Sequence, residues 1–435
     1  MNRETIKSFI LAVLVGLSFL LSYILWSYQP KYEMFYDSSY INEVDVGGKE
    51  RKKNDLIKPA HVIFHRSTNQ IVGFKQPSDE YIFYKELSSW SLTDFSLLEF
   101  NGETKEPVEQ QYIEVIFPSD FPIQLLTNIF SVQELNIELP NWTFDRFYII
   151  PQENAELTVQ IYAKERAELI EASIEKSGAF QYIDRFDESH PHLQPYLAVP
   201  FGKKQFYIPE SVEEMEKKTL VANQLDPELF INVLFSNPSL VKPSQRELFF
   251  TDGQRGMRLF QEGRYLEFIQ PIETNEQNLD PVELIDKSID HINEHKGWIN
   301  EYHFEAVDAL KGEVEYRLHY DGVPVYDFNN LSTILQIWRE QELYQYHRSL
   351  LQIGHLLNSS DVELPSGEEV IRSLEMNEDY NVDHIKDIRL GYYLKYIDKV
   401  HSLTLEPTWF MHYEDHWLRI PFVKNETDYE GIRGD

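Results

Sequence analysis

The sequence contains no cysteine, and this absence excludes disulfide bonds, thiolate metal sites and lipid attachment through an N-terminal cysteine. Basic residues are scarce as well: 40 lysines and arginines stand against 72 acidic residues, and the formal net charge is −32. Such a charge argues against nucleic acids and anionic membrane surfaces as partners. The fold must therefore depend on packing, for which 435 residues with 42% hydrophobic side chains are sufficient.

Long apolar runs are also lacking, with one exception: the charge-free segment SFILAVLVGLSFLLSYILW at residues 8–26. The 18 residues from Phe9 to Trp26 would form a helix about 27 Å long, enough to cross a hydrocarbon core of about 30 Å with little tilt. No small-x-small cleavage site follows, and Tyr23, Trp26 and Tyr28 suit a membrane–water interface. We therefore expect a single uncleaved transmembrane helix.

The charges around this segment predict its orientation. Arg3 and Lys7 precede it, which places the N-terminus in the cytoplasm by the positive-inside rule. Lys31 and the basic stretch GGKERKK at 47–53 lie on the far side, but large domains are translocated largely regardless of such charges. We expect a single-pass protein of the cell membrane with its C-terminal bulk outside the cytoplasm. The basic stretch is interpreted as a solvated linker, with contact to anionic lipid or wall polymer as the alternative.

Small and polar residues of the predicted helix gather on one side. At 100° per residue, an arc of about 160° contains five of them, and the opposite side is uniformly large and apolar. In lipid, helices associate through small residues that allow close approach and through hydroxyl groups that bond across the interface. We interpret this face as a partner interface; the alternative is that common small residues fell on one side by chance. Its residues are Ser8, Ala12, Gly16, Ser18 and Ser22.

The remaining chain predicts an α+β fold. Asp226-Pro227 and Asp280-Pro281 each begin a helix, and each helix is followed by strands with turn residues between them. A helix followed by an antiparallel meander, twice, indicates two related domains that follow a first α/β domain. The predicted division is a cytoplasmic stub with the membrane helix at 1–29, an N-terminal α/β domain at 30–155, a central α+β domain at 156–275 and a C-terminal α+β domain at 276–435.

Further elements follow from local pattern. Residues 30–60 are predicted as an irregular linker, and the segment Glu165–Lys176 fits either a helix or an extended strand. A strand at 111–117 is expected to stop at Pro118. Ser366 and Glu369 form a capping box that begins a helix.

The sequence contains no positive sign of catalysis. HINEH at 291–295 fits the H-x-x-E-H zinc pattern, but the isoleucine periodicity of this helix predicts that His291, Glu294 and His295 face solvent. His412 and His416 fall about 13 Å apart on a predicted strand, too far for one metal. A G-x-S-x-G motif, a Walker A motif and a G-x-G-x-x-G motif are all absent. We therefore expect no metal and no cofactor.

Three stretches give the chain a resemblance to a known family. ELFFTDGQRGMRLF, YRLHYDGVPVYDF and the closing EPTWFMHYEDHWLRIPF follow one N-terminal apolar helix in a cysteine-free chain. This arrangement resembles the YycH family, regulatory membrane proteins of the WalK–WalR two-component system in Gram-positive bacteria. The resemblance implies three extracytoplasmic domains, of which the last resembles YycI. It also implies no enzymatic activity, a membrane complex with YycI and the sensor kinase WalK, and control of cell-wall metabolism.

The expected function is therefore non-enzymatic, negative regulation of WalK, with the kinase contact placed in the membrane helix. Two alternatives stay open. One is a membrane-anchored extracytoplasmic module that binds a wall polymer or a small ligand, which a deep aromatic-lined pocket with convergent polar groups would favour. The other is a cell-surface hydrolase, which bound zinc or an acidic pair in a cleft would favour.

Overall fold

The computed structural model of the chain describes residues 14–16, residue 18 and most of 44–422. Within 44–422 it leaves out residues 67–69, 101–105, 108–110, 133, 154, 187–189, 202–203, 213–214, 244–247 and 273–278. The chain divides into two compact units, residues 1–42 and 43–435. The four described residues of the first unit are helical. Among the described residues no helix is both long enough and apolar enough to cross a membrane.

The first half of the second unit is built around one large sheet. Ten described strands form it in the order β10-β9-β2-β1-β4-β6-β7-β8-β3-β5, and each neighbouring pair is antiparallel except the parallel pair β3–β5. The strands are β1 His61–His65, β2 Ile71–Phe74, β3 Ser91–Glu99, β4 Tyr112–Pro122, β5 Ser131–Val132, β6 Thr143–Pro151, β7 Leu157–Tyr162, β8 Glu168–Glu175, β9 Leu193–Phe201 and β10 Lys204–Pro209.

The second half forms a sheet of fourteen described strands. Twelve follow the order β12-β13-β14-β15-β20-β19-β17-β18-β22-β23-β11-β21, while β16 pairs with β17 and β24 pairs with β23. The strands are β11 Glu216–Gln224, β12 Lys242–Pro243, β13 Phe249–Thr251, β14 Gly256–Phe260, β15 Tyr265–Ile269, β16 Glu301–Asp308, β17 Glu313–Tyr320, β18 Val323–Tyr326, β19 Thr333–Arg339, β20 Glu342–Ser349, β21 Leu351–Asp361, β22 Ile385–Ile397, β23 Ser402–Tyr413 and β24 His416–Arg419.

Helices are few and short in the described part of the chain, which is the mixed α+β fold that the sequence predicts. Each predicted helix start is confirmed by its cap; the side chain of Asp280, for example, accepts from the backbone N–H groups of Val282 and Glu283 at 3.0 and 2.9 Å. The capping box of Ser366 and Glu369 is present. The α-helices are Lys53–Leu56, Pro77–Leu87, Leu126–Ile129, Ala179–Asp184, Pro227–Leu234, Pro281–Asn293 and Gly367–Met376.

The two sheets meet where β4 contacts β16 and β22. The rings of Phe121 and Phe304 lie 5.2 Å apart, centre to centre, and both side chains are buried. Beside them, the buried guanidinium of Arg389 donates to the carbonyl oxygen of Pro118 at 3.4 Å and to Glu305 at 3.2 Å. Apolar packing and the hydrogen bond from Arg389 to Pro118 thus join the two sheets, whereas the ion pair of Arg389 with Glu305 lies within the second sheet.

One local prediction needs correction, one is completed by the structure, and one stays a prediction. Strand β4 does not stop at Pro118 but runs to Pro122, because the pairing with β6 is irregular between Ile116 and Phe121, where a proline removes no ladder hydrogen bond. The undecided segment Glu165–Lys176 contains strand β8. The division into domains at 30–155, 156–275 and 276–435 stays a prediction, and the sheets take their strands from 61–209 and 216–419.

The predicted linker at 30–60 is wrong for its described part, residues 44–60. Val46, Leu56 and Ile57 are buried, and the helix Lys53–Leu56 forms one short turn within this segment. The ammonium of Lys53 lies 2.5 Å from a carboxylate oxygen of Asp286. Single apolar residues between charged ones show no periodicity, so the sequence carried no pattern for this packing.

Candidate functional site

The predicted partner interface falls mainly outside the described residues, where Ser8, Ala12 and Ser22 lie. Gly16 and Ser18 are described as helical and exposed. A Cβ atom added to Gly16 would meet no atom within 4 Å. This face therefore stays a prediction.

The H-x-x-E-H residues do not all face solvent, so that prediction is wrong for the two histidines. His295 is 2% exposed, His291 is half-buried, and only Glu294 is exposed. The pKa of His291 is lowered to about 4 and that of His295 to about 2. Burial is the main cause for both, and the nearby Arg348 guanidinium contributes to both. The described residues contain no group of three or more potential metal ligands.

The error arose because the buried face of the helix Pro281–Asn293 was taken from its isoleucines alone. Leu284 and Ser288 are buried as well. His291 and His295 each follow one of these two residues by seven positions, which is two helical turns, and therefore share their face. The ring nitrogen of His291 lies 2.9 Å from the side-chain nitrogen of Gln336. Both histidines are therefore packed residues of the core boundary.

A cavity of about 800 Å³ lies between the two sheets. Its volume is within the range of small-molecule sites. The first-sheet side contributes β1, β9, β10 and the N-terminal turn of the helix Pro77–Leu87; the second-sheet side contributes β11, β16, β22 and the turn between β17 and β18. The lining includes aromatic side chains, namely Tyr81, Tyr196, Tyr207, Tyr302, Tyr392 and Trp409.

On the first-sheet side, Lys58 is the main cationic feature. Its ammonium lies over the ring of Tyr81, 3.7 Å from the ring centre. No carboxylate lies within 4.0 Å of this ammonium and no hydrogen bond joins it to another group within the part of the chain that the structure describes. Burial lowers the pKa of Lys58 to about 8, while the carboxylates of Asp55 and Glu301 raise it.

The same cavity is lined by Glu80, whose carboxyl group is mostly neutral at pH 7. Glu80 follows Pro77 in the first turn of its helix and accepts a hydrogen bond from the backbone N–H of Val62. Burial raises the pKa of Glu80 to about 8, although the bond from Val62 opposes the rise. His61 precedes Val62 and also lines the cavity; burial lowers its pKa to about 4, and its Nε2 atom has no hydrogen-bond partner among the described residues. Besides these two neutral polar groups, the cations Lys58, Arg51 and Lys75 line the cavity.

The opposite side of the cavity is acidic but internally paired. His303 contacts Glu301 at 3.0 Å and stacks on His319 with ring centres 3.9 Å apart. Although burial opposes it, the hydrogen bond with His303 lowers the pKa of Glu301. The ammonium of Lys218 lies 3.3 Å from Asp321. Among the described residues Lys58 has no carboxylate within ion-pair distance, although Asp55 and Glu301 act on its charge from farther away.

Sequence reasoning missed this cavity because its residues come from positions 51 to 409. One local pattern was present. A proline at the first helical position is typical of a helix start, and Pro77-Ser78 begins the helix that carries Glu80 and Tyr81. Nothing local indicated that the strand of His61 and the strands of the second sheet would face the same space.

Comparison with known proteins finds matches of one kind along most of the chain. Two family models match, the YycH protein N-terminal domain at residues 4–191 and the YycH protein C-terminal domain at residues 203–427. A relative from Bacillus subtilis (strain 168), named "Two-component system WalR/WalK regulatory protein YycH", is 23% identical over 449 residues, covering 94% of this chain and 95% of the relative. The crystal structure of YycH from Bacillus subtilis matches with a TM-score of 0.70 and 19% identity, over 87% of this chain and 99% of that one.

Proposed function

The chain belongs to the YycH family, and from this premise we propose that it is a non-enzymatic regulator of the sensor kinase WalK. The observation that carries the proposal is coverage: the two family models together span nearly the whole chain, and the curated relative of the same length is named a WalR/WalK regulatory protein. Shared length means that no separate catalytic domain is needed to account for the sequence.

The proposed mechanism places the chain in the cell membrane, with its N-terminus in the cytoplasm, in a complex with WalK and YycI. Its helix packs against the kinase through the face of Ser8, Ala12, Gly16, Ser18 and Ser22. A regulator shifts a kinase between two signalling states only by binding one state more tightly than the other. We propose that this chain favours the inactive state and thereby restrains cell-wall metabolism. The C-terminal domain is proposed to resemble YycI.

Co-purification of WalK from detergent-solubilised membranes tests this proposal. Gly16→Leu places a large side chain on the proposed interface, where close approach of two helices requires a small one. Val13→Leu adds bulk on the opposite face and serves as the matched control. We expect reduced kinase recovery for Gly16→Leu alone, at unchanged expression and topology. Equal recovery of the kinase with both variants would show that the helix is an anchor and that the contact lies elsewhere.

A second candidate function is favoured by the cavity. The part of the chain outside the proposed membrane segment would then bind a small ligand, and ligand binding would change the regulator. An aromatic-lined space of about 800 Å³ with a few convergent polar groups is the usual form of such a site. The two candidates are compatible, since one concerns the helix and the other the cavity.

A further inference from the structure

We infer that the cavity between the two sheets is a site for a small ligand that carries a carboxylate, and that this carboxylate binds the ammonium of Lys58. The inference deepens the second candidate function and rests on it, but it does not depend on contact with the kinase. No relative or family description assigns a ligand to this space.

The first argument is the unpaired charge. Lys58 is half-buried at the cavity wall and touches the face of Tyr81, but no described carboxylate or hydrogen-bond acceptor satisfies it. Burying an ammonium away from water is costly unless a partner compensates the cost, and the lowered pKa of Lys58 reflects this cost. A lysine placed in this way is therefore matched by an anion from outside the chain.

The second argument is that Glu80 and His61, which line the same cavity as Lys58, are uncharged polar groups. Glu80 and Tyr81 are adjacent in one helical turn, and the bond from Val62 to Glu80 brings His61 to the same corner of the cavity. At pH 7 the carboxyl group of Glu80 is mostly protonated and can donate its O–H, and His61 is uncharged. Neither residue adds a negative charge that would repel a carboxylate at Lys58.

The third argument concerns the charge that the ligand can carry. A phosphate group with a charge near −2 is usually bound by several cations or by a bidentate arginine. Lys58 is a half-buried ammonium of this cavity, and Arg51 and the exposed Lys75 also line it, as do the carboxylates of Asp55, Glu301 and Asp321. These carboxylates repel a doubly charged anion more strongly than a singly charged one, which favours a carboxylate over a phosphate at Lys58. The aromatic side chains of the cavity then accommodate an apolar body.

The test is a ligand-observed NMR titration of the full-length protein in nanodiscs with matched pairs of acids and amides. One pair is phenylacetate and phenylacetamide; the other is N-acetyl-Gly-Phe with a free C-terminus and the same dipeptide amide. We expect at least one acid to bind with a Kd no weaker than about 1 mM, and its amide to bind at least about tenfold more weakly. Binding of phenylacetate indicates free small acids, whereas binding of the dipeptide acid alone indicates peptide ends.

Variants at Lys58 separate the proposed contact from general attraction. Lys58→Met removes the charge and should weaken acid binding at least about tenfold, while Lys58→Arg should restore it. Lys75→Met is the matched control, because Lys75 also lines the cavity but is exposed. Rescue by arginine also rules out simple misfolding of the methionine variant.

Two results would overturn the inference. One is equal binding of acids and amides, or no saturable binding of either acid; the other is unchanged acid binding by Lys58→Met. In neither case is kinase recovery with the wild-type protein affected, so failure of the ligand site remains distinguishable from failure of kinase regulation.

Discussion

The backbone N–H of Lys49 donates a hydrogen bond to the carbonyl oxygen of Trp298, 3.2 Å away, and the two residues form an isolated antiparallel bridge. The N–H of Val46 binds the carbonyl oxygen of His295 at 3.1 Å in the same way. The side-chain amide of Asn293 accepts from the N–H of Arg51 and donates to its carbonyl oxygen, both at 2.9 Å. The segment that begins the second unit is thus fastened to the end of the helix Pro281–Asn293.

Gly48 is the position that tests this attachment. A Cβ atom there would lie 2.4 Å from the carbonyl oxygen of Lys296 and 2.7 Å from backbone atoms of Trp298, which cannot move aside as a side-chain end could. We expect Gly48→Val to lower the free energy of unfolding by about 1–3 kcal/mol and to expose residues 44–60 to protease. Lys49→Ala is the control, because its side chain is exposed and its backbone bond remains. Equal protease resistance of the two variants would contradict the attachment.

Arg389 predicts how strongly β16 and β22 are held together within the second sheet. Its guanidinium is buried between Asp387 of β22, at 2.7 Å, and Glu305 of β16, at 3.2 Å. Arg389→Met leaves the buried carboxylate of Glu305 short of one of its cationic neighbours, and breaking such a pair costs about 3–5 kcal/mol. Urea unfolding should show this loss, whereas the exposed Arg419→Met should stay within about 0.5 kcal/mol of the wild type. Similar midpoints for both variants would show that this ion pair adds no measurable stability.

The raised pKa of Glu80 predicts that the protein loses stability as the pH rises from about 4.5 to about 8. Its folded-state pKa of about 8 lies above the ordinary value of 4.5, so between these limits the folded protein holds a proton that the unfolded chain has released. Stability must then fall as pH rises through this interval, by at most about 1.4 kcal/mol per pH unit. The lowered pKa of His61, about 4, acts in the opposite direction below pH 6.5, which leaves pH 6.5 to 8 as the clearest window.

Glu80→Gln isolates this effect, because the amide keeps an acceptor for the N–H of Val62 but does not ionise. We expect the variant to be more stable than the wild type at pH 8 and to lose that advantage at pH 4. Thermal unfolding at a series of pH values measures the difference. A constant difference across the whole series would show that burial does not hold Glu80 neutral.

The proposed membrane contact makes a prediction for a short fragment. Residues 1–35 alone should retain part of the effect on WalK output if the helix acts directly on the kinase. The same fragment with Gly16→Leu is its control and should lose the effect. A reporter of WalR-dependent transcription measures both. Complete loss of regulation by the unmodified fragment would transfer the function to residues 43–435.

Prediction from sequence succeeded where the signal was local. The helix starts at Asp226-Pro227 and Asp280-Pro281 needed only a capping side chain and a proline in the first turn, and both helices begin there. The strands around Asp321-Gly322 pair as an antiparallel hairpin because these two residues adopt left-handed backbone conformations. It failed at His295, because the isoleucines alone did not show that the buried face of the helix also includes Leu284 and Ser288.

The amino-acid sequence by itself determined the helix starts, the hairpin turns, the alternation of buried and exposed side chains and the family of the chain. Each of these depends on residues a few positions apart or on the order of such patterns. Only the tertiary structure decided which strands share a sheet, that residues 44–60 pack on the core, and that Lys58 and Glu80 face the strands of the second sheet across one cavity. The last two of these outcomes depend on contacts between segments more than 200 positions apart. The pKa values follow from the same contacts, because burial is a property of the assembled fold.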